Sequence, residues 1–124
     1  MNTLNPTSTA QAVLAQALAQ LPLIAILRGL TPAEAPAIGE ALVSNGFAII
    51  EVPLNSPEPL QSIATLARQF TRTLVGAGTV LNAQQVKDVH AAGGRLVVAP
   101  NFNPAVVAQA LALNMLVLPG VATP

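Results

Sequence analysis

Five short apolar runs alternate along this chain with longer segments of helical periodicity. The runs are rich in valine, isoleucine and leucine, which is typical of parallel strands covered on both faces. The predicted strands are residues 23–27, 47–52, 73–75, 96–99 and 115–118. The predicted helices are residues 9–20, 32–45, 57–69, 83–92 and 104–113. This alternation indicates one parallel sheet with right-handed crossovers.

The predicted helices begin with a recurring signal, a capping side chain followed by a first-turn proline or, three residues later, by Glu or Gln. Four such starts occur, at 31–34, 56–57, 82–85 and 103–104. Gly46 and Gly93 stand where helices are expected to end. A fifth start, Thr123-Pro124, directly follows the last predicted strand.

The position of that last start bears on the fold class. An open five-stranded sheet would not end on a helix start, whereas a closed (β/α)8 barrel needs about 250 residues. The chain has 124 residues. We therefore expect an α/β fold, the first half of a (β/α)8 TIM barrel truncated before the sixth strand. Residues 1–124 would form one incomplete domain, with an N-terminal extension and helix over 1–20 and barrel units from about 21.

The composition argues against several classes of function. With 52% hydrophobic and 8% charged residues, the chain is too apolar for a disordered segment. A formal net charge of zero without a basic run argues against nucleic-acid binding. The absence of cysteine and the single histidine leave no thiolate or histidine metal cluster.

Two charge-free stretches, 1–27 and 96–124, raise the question of a membrane span. Prolines and amide side chains interrupt both, whereas a span needs about 20 predominantly apolar residues. Neither Lys nor Arg precedes the first apolar run, as a signal peptide would require. We therefore expect a cytoplasmic protein without a membrane segment.

Two charged side chains are predicted at the carboxyl ends of strands, where α/β folds bind their ligands. Arg28 follows the first strand, and Glu51 lies at the end of the second. Neighbouring strands are about 4.8 Å apart, so we expect both side chains to face one site. A buried glutamate with a raised pKa is suited to general acid–base catalysis. The alternative is a structural ion pair that closes the barrel mouth.

The other features near the strand ends have a structural and a functional interpretation. Asn55 and Thr79 could bind a ligand, although such residues commonly cap helices or form hydrogen bonds in loops. Gly76-Ala77-Gly78, predicted to follow the third strand, suggests close approach of a ligand or a neighbouring chain segment. Lys87, the only lysine, is interpreted as a solvated helix residue.

Five segments, in order, resemble the class I bacterial aldolases that cleave 2-keto-3-deoxy-6-phospho sugar acids. They are residues 21–29, 51–57, 75–81, 99–101 and 119–123, within a match over 18–124. The Pro-Leu-Asn-Ser-Pro of 53–57 looks like the 2-dehydro-3-deoxy-6-phosphogalactonate branch. The 6-phosphogluconate branch, which usually has a Leu-Arg-Thr-like segment there, remains the alternative.

The resemblance implies a homotrimeric barrel that needs no metal and no cofactor. A lysine Schiff base would cleave a phosphorylated keto-deoxy sugar acid to pyruvate and D-glyceraldehyde 3-phosphate. Glu51 matches the family's proton-shuttling glutamate, and Arg28 matches its substrate-binding arginine. Thr79 and Pro100 match substrate-pocket positions, and Asn55 matches the position that distinguishes the branches.

The chain departs from the family pattern in one respect. The family's Schiff-base lysine lies on the sixth strand and its phosphate-binding loops on the seventh and eighth, all beyond Pro124. Lys87 cannot replace that lysine from an outer helix, since a Schiff base needs a desolvated amine at the strand ends. We therefore expect the chain to be inactive alone. A non-enzymatic binding or assembly module and an unrelated small α/β binding domain remain alternatives.

Overall fold

A computed structural model describes the backbone of residues 6–124 and side chains from Thr9 onward. The first part of the predicted N-terminal extension, residues 1–5, lies outside the described residues. The helices are α1 (Pro6–Gln20), α2 (Ala35–Ser44), α3 (Pro59–Gln69), α4 (Ala83–Ala91) and α5 (Pro104–Ala112). The strands are β1 (Ala25–Ile26), β2 (Ile49–Pro53), β3 (Leu74–Gly78), β4 (Leu96–Ala99) and β5 (Leu116–Pro119).

The five strands form one parallel sheet in the order β1-β2-β3-β4-β5. One row of paired residues crosses the sheet through Ile26, Glu51, Gly76, Leu96 and Leu116. Paired residues of parallel strands point to the same side. The row therefore defines one face, called here the inner face. The predicted α/β half-barrel arrangement of consecutive neighbouring strands is confirmed.

The opposite face, called here the helix-covered face, packs against α2 to α5. Its strand side chains are almost entirely apolar and buried, as expected for a parallel sheet covered by helices. They include Ile50, Val52, Val75, Ala77 and Val97, which share a cluster with the helix residues Ile63, Leu66, Val86, Val89 and Val106. This cluster is the larger of the two hydrophobic cores.

Helix α1 covers the amino-terminal part of the inner face. Leu14 and Ala17 of α1 share the smaller apolar cluster with Ile49, Leu74 and Leu96 at the beginnings of the strands. The helix contacts β3 and β5. Among residues 6–124, none of the helices is long and apolar enough to cross a membrane.

Two of the predicted helix starts are confirmed and two are shifted. Asn82 and Asn103 cap α4 and α5 as predicted, each accepting a backbone N–H. The predicted Thr31–Glu34 capping contact forms, since Glu34 accepts hydrogen bonds from both the N–H and the hydroxyl of Thr31. Helix α2 nevertheless begins at Ala35, after a turn over residues 32–34. Helix α3 begins at Pro59, and the predicted cap at Ser56 is wrong.

Strand β3 is longer than predicted and includes the glycines that were expected to follow it. Gly76 lies against the backbone of Leu96, and a Cβ at position 76 would overlap the Leu96 carbonyl oxygen. Glycine inside a strand commonly marks such a close approach. The predicted approach to a neighbouring segment is therefore confirmed, and the prediction that residues 76–78 follow the strand is wrong.

Candidate active site

Glu51 is a buried carboxylate on the inner face of the sheet. It is the third residue of β2 and is 4% exposed. Its Oε2 atom is buried and has no hydrogen-bond partner among the described residues. Desolvation normally makes such a group costly unless it is paired or used. An unpartnered carboxylate oxygen at the ligand-binding end of a parallel sheet is thus a candidate reacting group.

Gly78 provides the space for this carboxylate. The neighbouring strand β3 ends at Gly78, and a Cβ at that position would overlap both oxygens of Glu51. The N–H of Leu54 donates to the Gly78 carbonyl at 2.9 Å, which fixes β3 beside the loop that follows β2. The contact of Gly78 with the Glu51 carboxylate was not predicted. The Gly-x-Gly spacing of residues 76–78 is the sequence signal that could have indicated it.

The environment of Glu51 shifts its acidity. Burial raises the pKa of the Glu51 carboxyl above its ordinary value, because desolvation disfavours the charged form. The positive charge of Arg28 acts in the opposite direction and is the smaller effect. A carboxyl group with a raised pKa can both donate and accept a proton nearer to neutral pH.

Arg28 is held beside Glu51 by the backbone on either side of it. The N–H of Leu27 donates to the Glu51 carbonyl at 2.9 Å, and the N–H of Gly29 donates to the hydroxyl of Ser56 at 3.0 Å. Ser56 is buried, so it links the loop after β1 to the loop after β2. This role of Ser56 replaces the predicted helix cap, because the bond joins residues 27 positions apart.

The arrangement of Arg28 differs from a closed ion pair. Its side chain is exposed, and Oε2 of Glu51 accepts no hydrogen bond from the described part of the chain. The charge of Arg28 therefore acts on the Glu51 carboxyl through space, and its exposed guanidinium group is accessible to a ligand. A guanidinium group binds a carboxylate or a phosphate by two parallel hydrogen bonds.

Thr79 has an unusual backbone conformation directly after β3. Its φ angle is +56°, in the left-handed region that a β-branched residue rarely adopts. Such a conformation costs about 1–3 kcal/mol and is found most often at active sites and ligand clamps. The half-buried Thr79 is therefore a strained residue at the same end of the sheet as Glu51.

The remaining two predicted site residues also lie at the carboxyl ends of strands. Asn55 is exposed in the turn after β2, and Pro100 is exposed directly after β4. The carbonyl of Pro100 packs against Gly120, where a Cβ would overlap it. Four of the five predicted positions thus follow strand ends, whereas the predicted position of Glu51 at the end of its strand is wrong, because β2 continues to Pro53. The Glu51 carboxylate nevertheless lies beside Gly78, the last residue of β3. Lys87, in contrast, is exposed on α4, in the layer that covers the other face.

The described residues offer limited chemistry beyond this group. Residues 6–124 contain no set of three His, Cys, Asp or Glu side chains that could hold a metal ion. The chemistry available is proton transfer by Glu51 beside an arginine that can bind an anionic substrate group. This combination suits the breaking and making of bonds next to a carbonyl or a carboxylate.

A comparison with protein families identifies the group to which this site belongs. The family model described as "Aldolase: KDPG and KHG aldolase" matches residues 14–124. The chain belongs to this aldolase family. Glu51, Arg28 and the strained Thr79 all lie within the matched segment.

Individual members of the aldolase family are similar in sequence and in structure. A probable 2-dehydro-3-deoxy-6-phosphogalactonate aldolase of Rhizobium meliloti (strain 1021) is 51% identical over 83% of this chain and 49% of its own length. A solved native KDPGal structure is 46% identical with a TM-score of 0.81, over 84% of this chain and 51% of the other.

A more distant relative has been solved with a bound reaction species. This is the KDPG aldolase of Legionella pneumophila, with pyruvate captured at low pH as a covalent carbinolamine intermediate. It is 28% identical with a TM-score of 0.79, over 98% of this chain and 55% of the other. The chain thus spans about half the length of the aldolases that it matches.

Proposed function

We propose that the chain supplies the proton-transferring half of an aldolase site that cleaves 2-dehydro-3-deoxy-6-phosphogalactonate to pyruvate and D-glyceraldehyde 3-phosphate. One observation carries this proposal: Glu51 is buried on the inner face with its carboxylate beside Gly78 at the end of β3, an unpartnered Oε2 and a raised pKa. The 51% identity to a probable aldolase of this specificity supports the substrate.

In this proposal Glu51 moves the protons of a retro-aldol reaction. A lysine amine adds to the substrate keto group and expels water, which forms a protonated Schiff base. The bond between C3 and C4 then breaks, its electron pair enters the Schiff base, and the C4 hydroxyl proton passes to Glu51. Return of a proton to C3 and hydrolysis release pyruvate. The carbinolamine captured in the Legionella relative supports covalent amine chemistry.

The other residues would bind and orient the substrate. Arg28 would bind the substrate carboxylate, because its exposed guanidinium group lies next to the proton-transferring glutamate. Thr79 and Pro100 would form the pocket wall at the ends of β3 and β4. Asn55, in the turn after β2, would contact the part of the substrate that distinguishes the galactonate from the gluconate epimer.

We further propose that the 124-residue chain is inactive alone. Its only lysine, Lys87, is exposed on α4 and cannot reach the carboxyl ends of the strands. Treatment of the chain with pyruvate and borohydride should give no reduced adduct, as measured by intact mass. An adduct on Lys87 would contradict this part of the proposal. Trimeric assembly and a cytoplasmic location belong to the same proposal and are testable on protein from the native source.

A chimaera tests the proposed role of the chain in catalysis. Residues 1–124 would be joined to the part of the Rhizobium relative that follows the matched segment, which completes the barrel. We expect this protein to release pyruvate from the galactonate substrate in an assay coupled to lactate dehydrogenase. Glu51→Gln should lower kcat by about 100-fold to 10,000-fold, the usual contribution of a general acid–base.

Matched controls separate catalysis from folding in the chimaera. Glu40→Gln changes an exposed carboxylate on α2 and should leave kcat unchanged. A folded chimaera whose activity is equally insensitive to both substitutions would contradict the role of Glu51. Faster cleavage of the gluconate epimer would reassign the substrate. A folded but inactive chimaera would favour a binding or assembly module.

A further inference from the structure

Three arginines lie together at the amino-terminal edge of the sheet, at the opposite end of the strands from the proposed aldolase site. Arg68 is in the last turn of α3, Arg72 is in the loop that follows, and Arg95 directly precedes β4. All three line one cleft of about 430 Å³. The N–H of Arg95 donates to the Val75 carbonyl at 2.8 Å, which anchors this arginine beside β3.

The charge of this cleft is unusual for so weakly charged a chain. The whole sequence has five Lys and Arg residues and a formal net charge of zero. Three of those five cations line the cleft, whereas no acidic side chain is found among its described lining residues. All three arginine side chains are exposed and therefore accessible to a ligand. The cleft is thus a local concentration of positive charge.

The rest of the lining suits a small molecule with one anionic group. Thr71 and Thr73 lie between the arginines along the chain, and Leu74 with Val13 of α1 adds apolar surface. Ligand pockets of about 300–1,000 Å³ are typical for small molecules. Two adjoining cavities share Val13 and Leu74 with the cleft, so the depression continues along α1.

We propose that this cleft, called here the arginine cleft, binds a small phosphorylated molecule whose phosphoryl group contacts Arg72 and Arg95. A guanidinium group is planar and donates in pairs to phosphate oxygens. A phosphoryl group has three terminal oxygens and up to two negative charges, so it can accept paired donors from two guanidinium groups better than the two oxygens of one carboxylate. The chemistry of the lining therefore favours phosphate over carboxylate.

The arginine cleft is separate from the proposed active site. Its described lining residues lie on α1, at the ends of α3 and α4 and at the amino-terminal edge of the sheet, and Glu51 and Arg28 are not among them. Arg68 also has a favourable interaction with the carbonyl groups at the end of α3, which requires no ligand. The test therefore depends on Arg72 and Arg95.

Equilibrium dialysis of the 124-residue chain against pyrophosphate tests the proposal and does not require the chain to be monomeric. We expect saturable binding with a Kd of about 1 mM or lower. Arg72→Gln and Arg95→Gln should each weaken binding by about tenfold, through loss of a charge-assisted contact. Lys87→Gln removes the same charge from α4, outside the cleft, and should change the Kd by less than about twofold.

Further variants keep the test decisive if an arginine-to-glutamine change disturbs folding. Arg72→Lys and Arg95→Lys retain the charge but lose the paired donors, so they should still weaken binding while circular dichroism remains unchanged. An absence of saturable binding to the wild-type chain would overturn the proposal. An equal loss on Lys87→Gln would show non-specific attraction. Citrate that binds as tightly as pyrophosphate would overturn the assignment to phosphate.

Discussion

The two faces of the sheet are built from alternate residues of the same strands and differ in what they contain. On the helix-covered face, Val52 of β2 and Ala77 of β3 are fully buried among apolar side chains. On the inner face, the adjacent residues Glu51 and Gly76 form a row with an unpartnered carboxylate oxygen and a glycine. The difference shows that residues next to each other in the sequence have opposite tasks, one in stability and one in the candidate site.

The period of two in a strand is the physical origin of this separation. A shift of β2 by one residue would move Glu51 into the helix-covered core and Val52 to the inner face. The continuous apolar contacts of the helix-covered face prevent such a shift. The stability of one face therefore positions the chemistry of the other.

The largest expected difference between the faces concerns the loss of apolar side chains. Ile63 of α3 is fully buried in the helix-covered core, whereas Ile26 of β1 lies on the inner face and is 60% exposed. Ile63→Ala should lower the free energy of unfolding by about 2–5 kcal/mol, because it leaves a cavity. Ile26→Ala should lower it by less than about 0.5 kcal/mol. Urea denaturation of both variants measures the difference.

Equal losses for the two variants would contradict the assignment of stability to the helix-covered face. A large loss for Ile26→Ala alone would mean that the inner face is covered in solution, for example by a second copy of the chain. Sedimentation velocity on the wild-type chain and on Ile26→Lys would then test that association, since a charge on a covered face should dissociate it.

The order of elements was predictable from local sequence. Apolar runs, capping residues and prolines are short-range signals, and they led to the parallel sheet. The position of Arg28 after β1 followed from the same pattern, whereas Glu51 lies in the middle of β2, which continues to Pro53. The predicted boundaries differ from the observed ones mainly at β1, at the end of β3 and at the start of α2 and α3.

The contacts that complete the site were not predictable, because they join residues far apart in the sequence. Ser56 was assigned to a helix cap, and the structure instead bonds it to Gly29. Gly78 was predicted to follow the third strand, and the structure places it in β3 against the Glu51 carboxylate. The strained conformation of Thr79 likewise depends on the surrounding fold rather than on local preference.

An intermediate change in the free energy of unfolding is expected at Gly78, whose missing side chain leaves space for the Glu51 carboxylate. Gly78→Ala introduces a Cβ that overlaps the carboxylate, so it should destabilise the chain. In a Glu51→Ala background the same change meets no carboxylate and should cost much less. A double-mutant cycle from urea denaturation should therefore give a coupling of about 1–3 kcal/mol.

A control double-mutant cycle combines Gly78→Ala with the loss of an exposed carboxylate in place of Glu51. Glu40 lies on α2, so Gly78→Ala and Glu40→Ala should be additive within about 0.5 kcal/mol. Additivity of Gly78→Ala with Glu51→Ala as well would mean that the carboxylate moves aside without cost. The glycine would then have no role in positioning the candidate catalytic group.

The smallest expected effect is the pH dependence of the free energy of unfolding. Its sign should differ between Glu51, whose pKa is raised, and Glu34, whose pKa is lowered. Burial raises the pKa of Glu51 in the folded state, so the folded chain binds this proton more tightly than the unfolded chain. Its contribution to stability is complete below the unfolded pKa and is lost as the pH rises towards the raised value. Glu51→Gln resembles the neutral acid and should remove this loss, which leaves the variant more stable than the wild type at neutral pH.

Glu34, which directly precedes α2, should affect the pH dependence of stability in the opposite direction. Hydrogen bonds from the backbone and then the side chain of Thr31 lower the pKa of this exposed carboxyl. Its contribution is therefore present above the unfolded pKa and is lost as the pH falls through the folded value. Thermal unfolding across the acid range should show Glu34→Gln losing stability on the neutral side, where Glu51→Gln gains it. Two variants that respond with the same sign would mean that Glu51 is solvated, and a solvated carboxylate would lack the property for which it is proposed as the proton carrier.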